Sequence, residues 1–388
     1  MVRVTIKEED HAMGIRRNGA SLAVIAAGAL AFWPALAHVP AASAATATAT
    51  TATATTARVC GHASTTTLAD AALQGVTAVS SSDAWAAGST PFPFMPVLAH
   101  WNGRSWTAVS SPVLQNPGQL TAVAKFSGGI WAVGASRQTT GGPHRTHLIL
   151  RVTGSNVRTV PTPRPDPGSL FGVAATSASN AWAVGYITAG PPLILHWNGT
   201  VWKRSPLPRH ARGVITAVDA TSATNAWAID TSSHGNSRIW HWNGTRWSRV
   251  ATPAIAADTY VLNGVAAISA RNAWAVGQTS TSGDTVILHW NGSQWRRTPS
   301  PTVPAPAGDF LDAVSASSAD NAWAVGTTTK HQSLAEHWNG TSWHVVPTPG
   351  PCGSLAGVSV LPSGRAWAVG GGQILHWNGT AWHSVPLT

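Results

Sequence analysis

Acidic side chains are scarce in this chain of 388 residues, which has 14 Asp and Glu together against 24 Lys and Arg. Paired-carboxylate catalysis and an all-oxygen metal site both need several acids, so the sequence provides little material for either. It also has no Gly-x-Ser-x-Gly elbow, no His-Glu-x-x-His pattern, no clustered Cys and His and no phosphate-binding glycine loop. We therefore expect no catalytic residues of a familiar kind, no metal and no cofactor.

Residues that favour strands and turns are abundant instead. The chain has 37 Gly, 26 Pro and 21 Trp, with only 3 Met, and this usage disfavours helices. A disordered chain is excluded as well, because disordered segments lack so much aromatic and β-branched surface. The composition predicts an all-β protein.

The N-terminal region has the features of an export signal. An apolar run from Ser21 to Ala37 follows Arg16 and Arg17, and Ala42-Ser43-Ala44 matches a cleavage site. We predict a signal peptide over residues 1–44, an Ala/Thr-rich flexible stalk over 45–67 and a folded domain over 68–388. The paired arginines leave general secretion and twin-arginine export both open. No later apolar run reaches about 18 residues, so we expect a secreted, extracellular protein, free or associated with the cell envelope, without a transmembrane segment.

Two short motifs repeat along the folded domain. The pattern Ala-Trp-Ala-Val-Gly, or a close variant, occurs seven times at intervals of 44 to 51 residues, with its Trp at Trp85, Trp131, Trp182, Trp227, Trp274, Trp323 and Trp367. A second pattern, His-Trp-Asn-Gly-x-x-Trp, follows in six copies, whereas copy two has Val152 and Val157 at the Trp positions. A fixed period of this length indicates one supersecondary unit repeated seven times.

Each copy contains four strand-like stretches, and Asn-Gly between the last two is a strong hairpin signal. If the loop has two residues, Leu195 pairs with Trp202 and both indoles of the hairpin lie on one face. A type I turn with a bulge would shift this pairing, and the sequence leaves both turns open.

A single four-stranded sheet cannot bury both faces, but radial repetition buries each against its neighbours. The sequence thus predicts a seven-bladed β-propeller of four-stranded antiparallel blades; the alternative is an open β-solenoid, which would need polar capping copies. Cys60 and Cys352 precede the first and the last copy, which become neighbours only in a closed ring. We expect a disulfide between them in an exported protein, with two separate thiols as the alternative.

The Ala-Trp-Ala-Val-Gly and His-Trp-Asn-Gly motifs resemble those of secreted bacterial β-propeller repeat proteins, most of them uncharacterised. The resemblance covers roughly residues 68–388 and extends more distantly to Asp-box and tectonin propellers. The Asn-Gly-Thr-x-Trp turn stands where the Asp-box turn stands, but Asn replaces the Asp of that motif. The resemblance implies the fold and leaves the activity open.

Loops on one face of the disc vary strongly among the copies, whereas the short turns on the other face barely vary. Variation confined to one face indicates that this face carries recognition. If the first strand of each copy lines the central channel, the residue about eleven before each motif Trp lies at the channel mouth on this long-loop face. These candidate ligand-binding residues are Gln74, Thr121, Phe171, Thr216, Asn263 and Asp312, with Ala356 in the seventh copy.

Three other features have simple structural interpretations. The six repeated His residues are too far apart to share one metal, and we expect them to make hydrogen bonds between blades. Glu336 replaces a Leu of other copies and is expected at a solvated outer-blade position rather than as a buried acid. The Asn-Gly-Thr/Ser sequences match glycosylation sequons. The hairpin turn already explains them, so we do not expect glycosylation there.

The leading hypothesis is a non-enzymatic propeller that binds a glycan or an anionic envelope polymer through its long-loop face, as a monomer without a nucleic-acid partner. The alternative is a propeller enzyme, a lyase or glycoside-active protein, in which His144, His147, His234 or Asp312 performs acid-base catalysis over the channel. A scaffold for protein partners, the third class, would show an exposed apolar patch.

Overall fold

The computed structural model describes residues 71–137, 145–164, 166–208, 211–231, 235–255, 258–301, 308–350 and 353–387. Within them, 28 strands form seven four-stranded antiparallel sheets, one for each sequence copy. The predicted seven-bladed β-propeller is confirmed. The signal peptide, the stalk, Cys60 and Cys352 lie outside the described residues, so the export signal and the disulfide remain predictions.

Every blade has its strands in chain order from the channel outwards. Blades 1 to 4 consist of β1 (Ala72–Ser80), β2 (Asp83–Ser89), β3 (Pro96–Trp101) and β4 (Trp106–Ala108); β5 (Gly118–Phe126), β6 (Gly129–Arg137), β7 (Arg145–Thr153) and β8 (Asn156–Thr159); β9 (Gly168–Ser177), β10 (Asn180–Ile187), β11 (Pro192–Trp197) and β12 (Trp202–Arg204); β13 (Val214–Ser222), β14 (Asn225–Thr231), β15 (Arg238–Trp242) and β16 (Trp247–Val250). Blades 5 to 7 consist of β17 (Tyr260–Ser269), β18 (Asn272–Thr279), β19 (Thr285–Trp290) and β20 (Trp295–Thr298); β21 (Phe310–Ser318), β22 (Asn321–Thr327), β23 (Ser333–Trp338) and β24 (Trp343–Val345); β25 (Gly357–Val360), β26 (Ala366–Gly370), β27 (Gln373–Trp377) and β28 (Trp382–Ser384). A short 3₁₀ turn, Pro112–Gln115, joins blade 1 to blade 2.

Three tryptophans meet at almost every junction between blades. In blade 3, the motif Trp182 on the second strand contacts Trp242 and Trp247 of the hairpin in blade 4, with ring centroids 5.1 and 5.3 Å apart. Edge-on packing of large aromatic rings adds specific geometry to the burial of roughly 150–250 Å² by each indole. These junctions form the hydrophobic core of the propeller.

The ring closes through the same contact. Trp367 of blade 7 packs 5.0 Å from Trp101 and 5.1 Å from Trp106 of blade 1. The C-terminal segment continues past β28 and forms a parallel bridge between Leu387 and Trp106. Near the channel, the Ala78 amide of blade 1 donates to Ser359 Oγ of blade 7 at 3.0 Å. Head and tail are thus adjacent, which excludes the open solenoid.

Blade 2 shows what the indoles contribute. Val152 and Val157 pair directly there and occupy the places of the two hairpin tryptophans. They contact Trp85, which stays partly exposed, whereas the other six motif tryptophans are buried. Because valines replace the two hairpin tryptophans in copy two, the junction between blades 1 and 2 is less completely filled than the others.

In the blades with the Asn-Gly motif, the turn between the third and fourth strands has four residues rather than two, whereas blade 2, which lacks the motif, has the two-residue turn Gly154-Ser155. In blade 3, Trp197 pairs directly with Trp202, and the Asn198 side chain accepts hydrogen bonds from the amides of Thr200 at 3.1 Å and Val201 at 3.0 Å. Gly199 provides the positive φ of 99°. The two-residue alternative is wrong, but both indoles still share a face because directly paired residues do so.

No helix among the described residues is long and apolar enough to cross a membrane.

Replacing Leu387 by Asp should lower the free energy of unfolding by about 1–3 kcal/mol, because a charge would replace an apolar contact with the blade 1 core. Val345→Asp, at an exposed apolar residue of blade 6, is the matched control and should change stability by less than about 0.5 kcal/mol. Urea unfolding followed by tryptophan fluorescence measures both, and equal effects would contradict closure through the C-terminal segment.

Candidate functional site

The predicted ring of channel residues coincides with a ring of β-bulges. In blades 1 to 6 the pairing between first and second strands shifts near the start of the first strand, and the residues there are Gln74, Thr121, Phe171, Thr216, Asn263 and Asp312. Every one of these blades except blade 2 has a second shift near the other end of the strand. In blade 7, Ala356 occupies the same place just before β25. A bulge leaves the extra residue unpaired and redirects its side chain. We call these seven residues the bulge ring.

The last residue of the Ala-Trp-Ala-Val-Gly motif makes room for the bulge. A Cβ atom on Gly277 would lie 1.9 Å from the Val261 carbonyl oxygen, and one on Gly326 would lie 1.9 Å from that of Phe310. Glycine lets the bulged strand approach this closely in these blades, whereas blade 4 makes the same bulge with Asp230 at the equivalent position. The motif glycine thus shapes the channel mouth, a role that the sequence pattern alone did not assign.

Two members of the bulge ring join neighbouring blades. Thr121 Oγ1 donates to the Leu170 carbonyl of blade 3 at 2.8 Å. Asn263 Nδ2 donates to the Leu311 carbonyl of blade 6 at 3.0 Å and lies 2.9 Å from Gln278 Oε1. Hydrogen bonds satisfy both side chains within the protein, which favours a structural role for Thr121 and Asn263 over direct ligand binding.

Two further members pair with a side chain of their own second strand. In blade 4, Thr216 Oγ1 and Thr231 Oγ1 form a hydrogen bond at 3.2 Å. Phe171 stacks on Tyr186 in blade 3, with centroids 5.6 Å apart and ring planes inclined by 19°. Both aromatic rings are only partly buried, so blade 3 presents an aromatic pair beside the channel.

Gln74 and Asp312 are different, because neither side chain has a hydrogen-bond partner among the residues that the structure describes. Burial raises the pKa of the Asp312 carboxyl to about 7. Ala356 of blade 7 stands between them in the ring, since blades 6, 7 and 1 are consecutive around the closure. Free hydrogen-bonding capacity is therefore concentrated on one side of the mouth.

Of the three histidines of the enzyme alternative, the structure describes only His147, which faces a neighbouring strand of blade 3. His147 Nε2 donates to the Tyr186 carbonyl at 2.9 Å, and burial lowers the pKa of its imidazole. It lines a narrow cleft between blades 2 and 3 together with the ion pair of Asp166 and Arg204. His144 and His234 lie outside the described residues. The described part of the chain has no group of three or more His, Cys, Asp and Glu that could hold a metal ion.

The repeated histidines make their hydrogen bonds within a blade. His196 Nε2 lies 2.7 Å from Asn180 Oδ1 of the same blade, and its ring stacks on Trp182 with centroids 4.0 Å apart. Blades 1, 4, 5 and 6 repeat the contact through Asp83, Asn225, Asn272 and Asn321. For these five histidines the prediction of bonds between blades is wrong. The Asn or Asp two residues before the motif Trp of blades 1, 3, 4, 5 and 6 was the sequence signal for the true partner; blades 2 and 7 have Gly129 and Arg365 there.

Glu336 is fully buried, which contradicts the predicted solvated position. The third strand of blade 6 faces blade 5 here, and Ser300 Oγ lies 3.2 and 3.3 Å from the two carboxyl oxygens. Ser300 Oγ also lies 2.6 Å from Thr285 Oγ1. Burial raises the pKa of the Glu336 carboxyl to about 8, so it is mostly protonated at neutral pH. Sequence reasoning missed that this outer strand is covered by the neighbouring blade.

Two more buried acids escaped the sequence analysis. The Asp219 carboxylate accepts hydrogen bonds from the Ala220 amide at 2.8 Å and the Ala267 amide of blade 5 at 2.7 Å, and burial raises its pKa to about 6. Asp230 replaces the motif glycine in blade 4 and lies opposite Arg238, with 3.5 Å between Oδ2 and the guanidinium. Burial raises the Asp230 pKa to about 6 as well. These contacts connect strands and blades and require no ligand.

An exposed aromatic side chain also lies on the long-loop face. Phe92, in the loop between β2 and β3, is 73% exposed and meets Phe94 edge to face at 6.2 Å. The exposed ring is accessible on the same face as the bulge ring. The loop belongs to blade 1, the blade of Gln74.

Replacing Glu336 by Leu, the residue at the equivalent positions 195, 288 and 375, should stabilise the protein more at pH 9 than at pH 5. Folding raises the pKa of this carboxyl from the ordinary value near 4.5 to about 8, so its stability contribution is present below pH 4.5 and lost as the pH rises towards 8. The gain of the variant should grow by roughly 3–4 kcal/mol over this range. Urea unfolding at both pH values measures it, with the exposed Asp320→Asn as control; a gain independent of pH would show that Glu336 is not buried.

The comparisons with known proteins support the fold alone. No protein-family model and no curated protein matches the sequence, so the resemblance to secreted bacterial repeat propellers stays a prediction. Among solved structures, the GH74 xyloglucanase from Xanthomonas campestris has 13% identity and a TM-score of 0.58 over 79% of this chain; the chain spans only about half of that protein, 52%. Virginiamycin B lyase from Staphylococcus aureus has 13% identity and a TM-score of 0.57, with 82% of this chain and 96% of that chain covered. YCF48 from Cyanidioschyzon merolae has 16% identity and a TM-score of 0.55, with coverages of 79% and 96%. At these identities the likeness establishes a β-propeller and not an activity.

Proposed function

We propose that this protein binds a glycan or an anionic envelope polymer at the channel mouth of its long-loop face and catalyses no reaction on it. The observation that supports the proposal most is the bulge ring, which directs one side chain from each blade towards a single opening. Gln74 and Asp312 keep their hydrogen-bonding groups available there. A concave opening with a few unsatisfied polar groups beside aromatic rings is typical of a ligand site.

Aromatic side chains on the same face favour a sugar ligand. The Phe171 and Tyr186 pair stands beside the channel, and Phe92 projects from the loop of blade 1. Sugar rings offer apolar C–H faces to aromatic rings and hydroxyl groups to amides and carboxylates, so this combination suits them. The formal net charge of +10 would add long-range attraction to an anionic polymer.

The enzyme alternative has less support from the geometry. It needs a histidine and a carboxylate within hydrogen-bond reach over the mouth. His147 instead faces the Tyr186 carbonyl in the cleft between blades 2 and 3, and Asp312 belongs to blade 6. Binding without catalysis therefore agrees better with the described residues.

A scaffold for protein partners would need a broad exposed apolar patch. The exposed large apolar side chains of the described residues are Val79, Phe92, Val201 and Val345, and they are scattered over blades 1, 3 and 6. Single exposed apolar side chains are normal on a protein surface and form no such patch.

Phe92→Ala should weaken the binding of purified cell-wall polysaccharide about tenfold, because it removes the exposed stacking surface beside the mouth. Gln74→Ala should have a similar effect. Val201→Ala, at an exposed apolar residue of a short turn on the opposite face, should bind like the unchanged protein. Pull-down titrations measure the affinities after a glycan array has identified a bound polymer. Equal binding by all three variants, or steady release of cleaved sugar, would contradict the proposal.

A further inference from the structure

Asp312 is the one charged member of the bulge ring. In blades 2 and 5 the bulged residue is Thr121 or Asn263, and each donates a hydrogen bond to the carbonyl just before the bulge of the next blade. The equivalent carbonyl for Asp312 is that of Leu355, which directly precedes Ala356. The ionised Asp312 carboxylate cannot donate to a carbonyl, so in this form blade 6 places an acceptor where blades 2 and 5 place a donor.

No cation among the residues that the structure describes forms an ion pair with this carboxylate. The ion pairs among the described residues involve Asp83, Asp166 and Asp230, and Asp312 takes part in none of them. A partly buried carboxylate without a partner is unfavourable for folding. Such groups are found where a ligand supplies the missing donor.

The two ring positions that follow Asp312 carry no charge. The neighbour in blade 7 is Ala356, which has only a methyl group, and the next residue along the ring is Gln74, whose amide has no hydrogen-bond partner among the described residues. We call Asp312, Ala356 and Gln74 the acidic arc. In a ring of seven, blade 3 stands three blades from blade 6, so the Phe171 and Tyr186 pair lies almost diametrically across the channel from Asp312.

We infer that the acidic arc binds the protonated primary amine of an amino-sugar unit. An ammonium group has three donors, enough for the Asp312 carboxylate and the Leu355 carbonyl together. The Gln74 amide would take a neighbouring sugar hydroxyl, and the aromatic pair across the mouth would cover an apolar sugar face. A lysine side chain carries the same ammonium but has no hydroxyl groups and no apolar ring face, so these groups favour the sugar. The inference rests on the proposed glycan-binding function and names the ligand group that confers its specificity.

The test compares a β-1,4-linked glucosamine tetramer with its fully N-acetylated form, by calorimetric titration of the full chain at pH 7 and about 0.15 M salt, where long-range repulsion is screened. The unchanged protein should bind the free-amine tetramer at least about tenfold more tightly, since a charge-assisted hydrogen bond is lost on acetylation. Asp312→Asn should bring the two affinities within about twofold. Asn is already the bulged residue of blade 5, so this variant should fold.

Asp320→Asn is the matched control, because it removes the same charge from an exposed turn on the opposite face of the same blade. It should keep the preference for the free amine. Equal affinity for both tetramers in the unchanged protein, or a preference that survives Asp312→Asn, would overturn this inference and leave the proposed function intact. Tighter binding of a tetralysine peptide than of the glucosamine tetramer would assign the arc to a protein partner and overturn it too. If the protein bound no glycan of an array, both this inference and the proposed glycan-binding function would be overturned.

Discussion

The whole structure depends on one contact, the insertion of an indole between two indoles of the next blade. The motif Trp of each second strand provides the first ring, and the directly paired tryptophans of the neighbouring hairpin provide the other two. Six junctions use this triad, including the closing contact of Trp367 with Trp101 and Trp106. The junction of blades 1 and 2 uses Val152 and Val157 instead and leaves Trp85 partly exposed. A disc of 28 strands can thus form without helices or a separate central core.

The same repetition determines the geometry of the proposed binding site. The motif glycine accommodates the bulge of the first strand, except in blade 4 where Asp230 stands in its place, and each bulge leaves one residue unpaired. Because the backbone is nearly the same in every blade, the mouth acquires its chemistry from single substitutions at one repeated position. Thr121 and Asn263 hold blades together there, whereas Gln74 and Asp312 remain available. Ligand specificity and ring assembly therefore use equivalent positions of different blades.

Periodicity allowed the blade number and the strand order to be predicted from the sequence, because identical repeats must make identical neighbour contacts. The predictions that failed concern hydrogen bonds and burial that only the folded structure shows. The Asn198 side chain accepts hydrogen bonds from two amides of the turn, and the hairpin loop has four residues. His196 turns to Asn180 of its own blade. Glu336 is covered by blade 5, which no pattern within its own strand reveals. The hydrophobicity pattern within one blade does not reveal a β-bulge. It could therefore not be predicted that Asp312 has no hydrogen-bond partner among the described residues.

Hydrogen–deuterium exchange of the full chain tests ring closure most directly. If the terminal blades are clamped together by the Trp367 triad and the Leu387 bridge, the amides of β1, β2 and β26 should exchange as slowly as those of β14 and β18 in the middle of the chain. Much faster exchange confined to blades 1 and 7 would mean that the ring is open. The channel mouth would then not exist as a site.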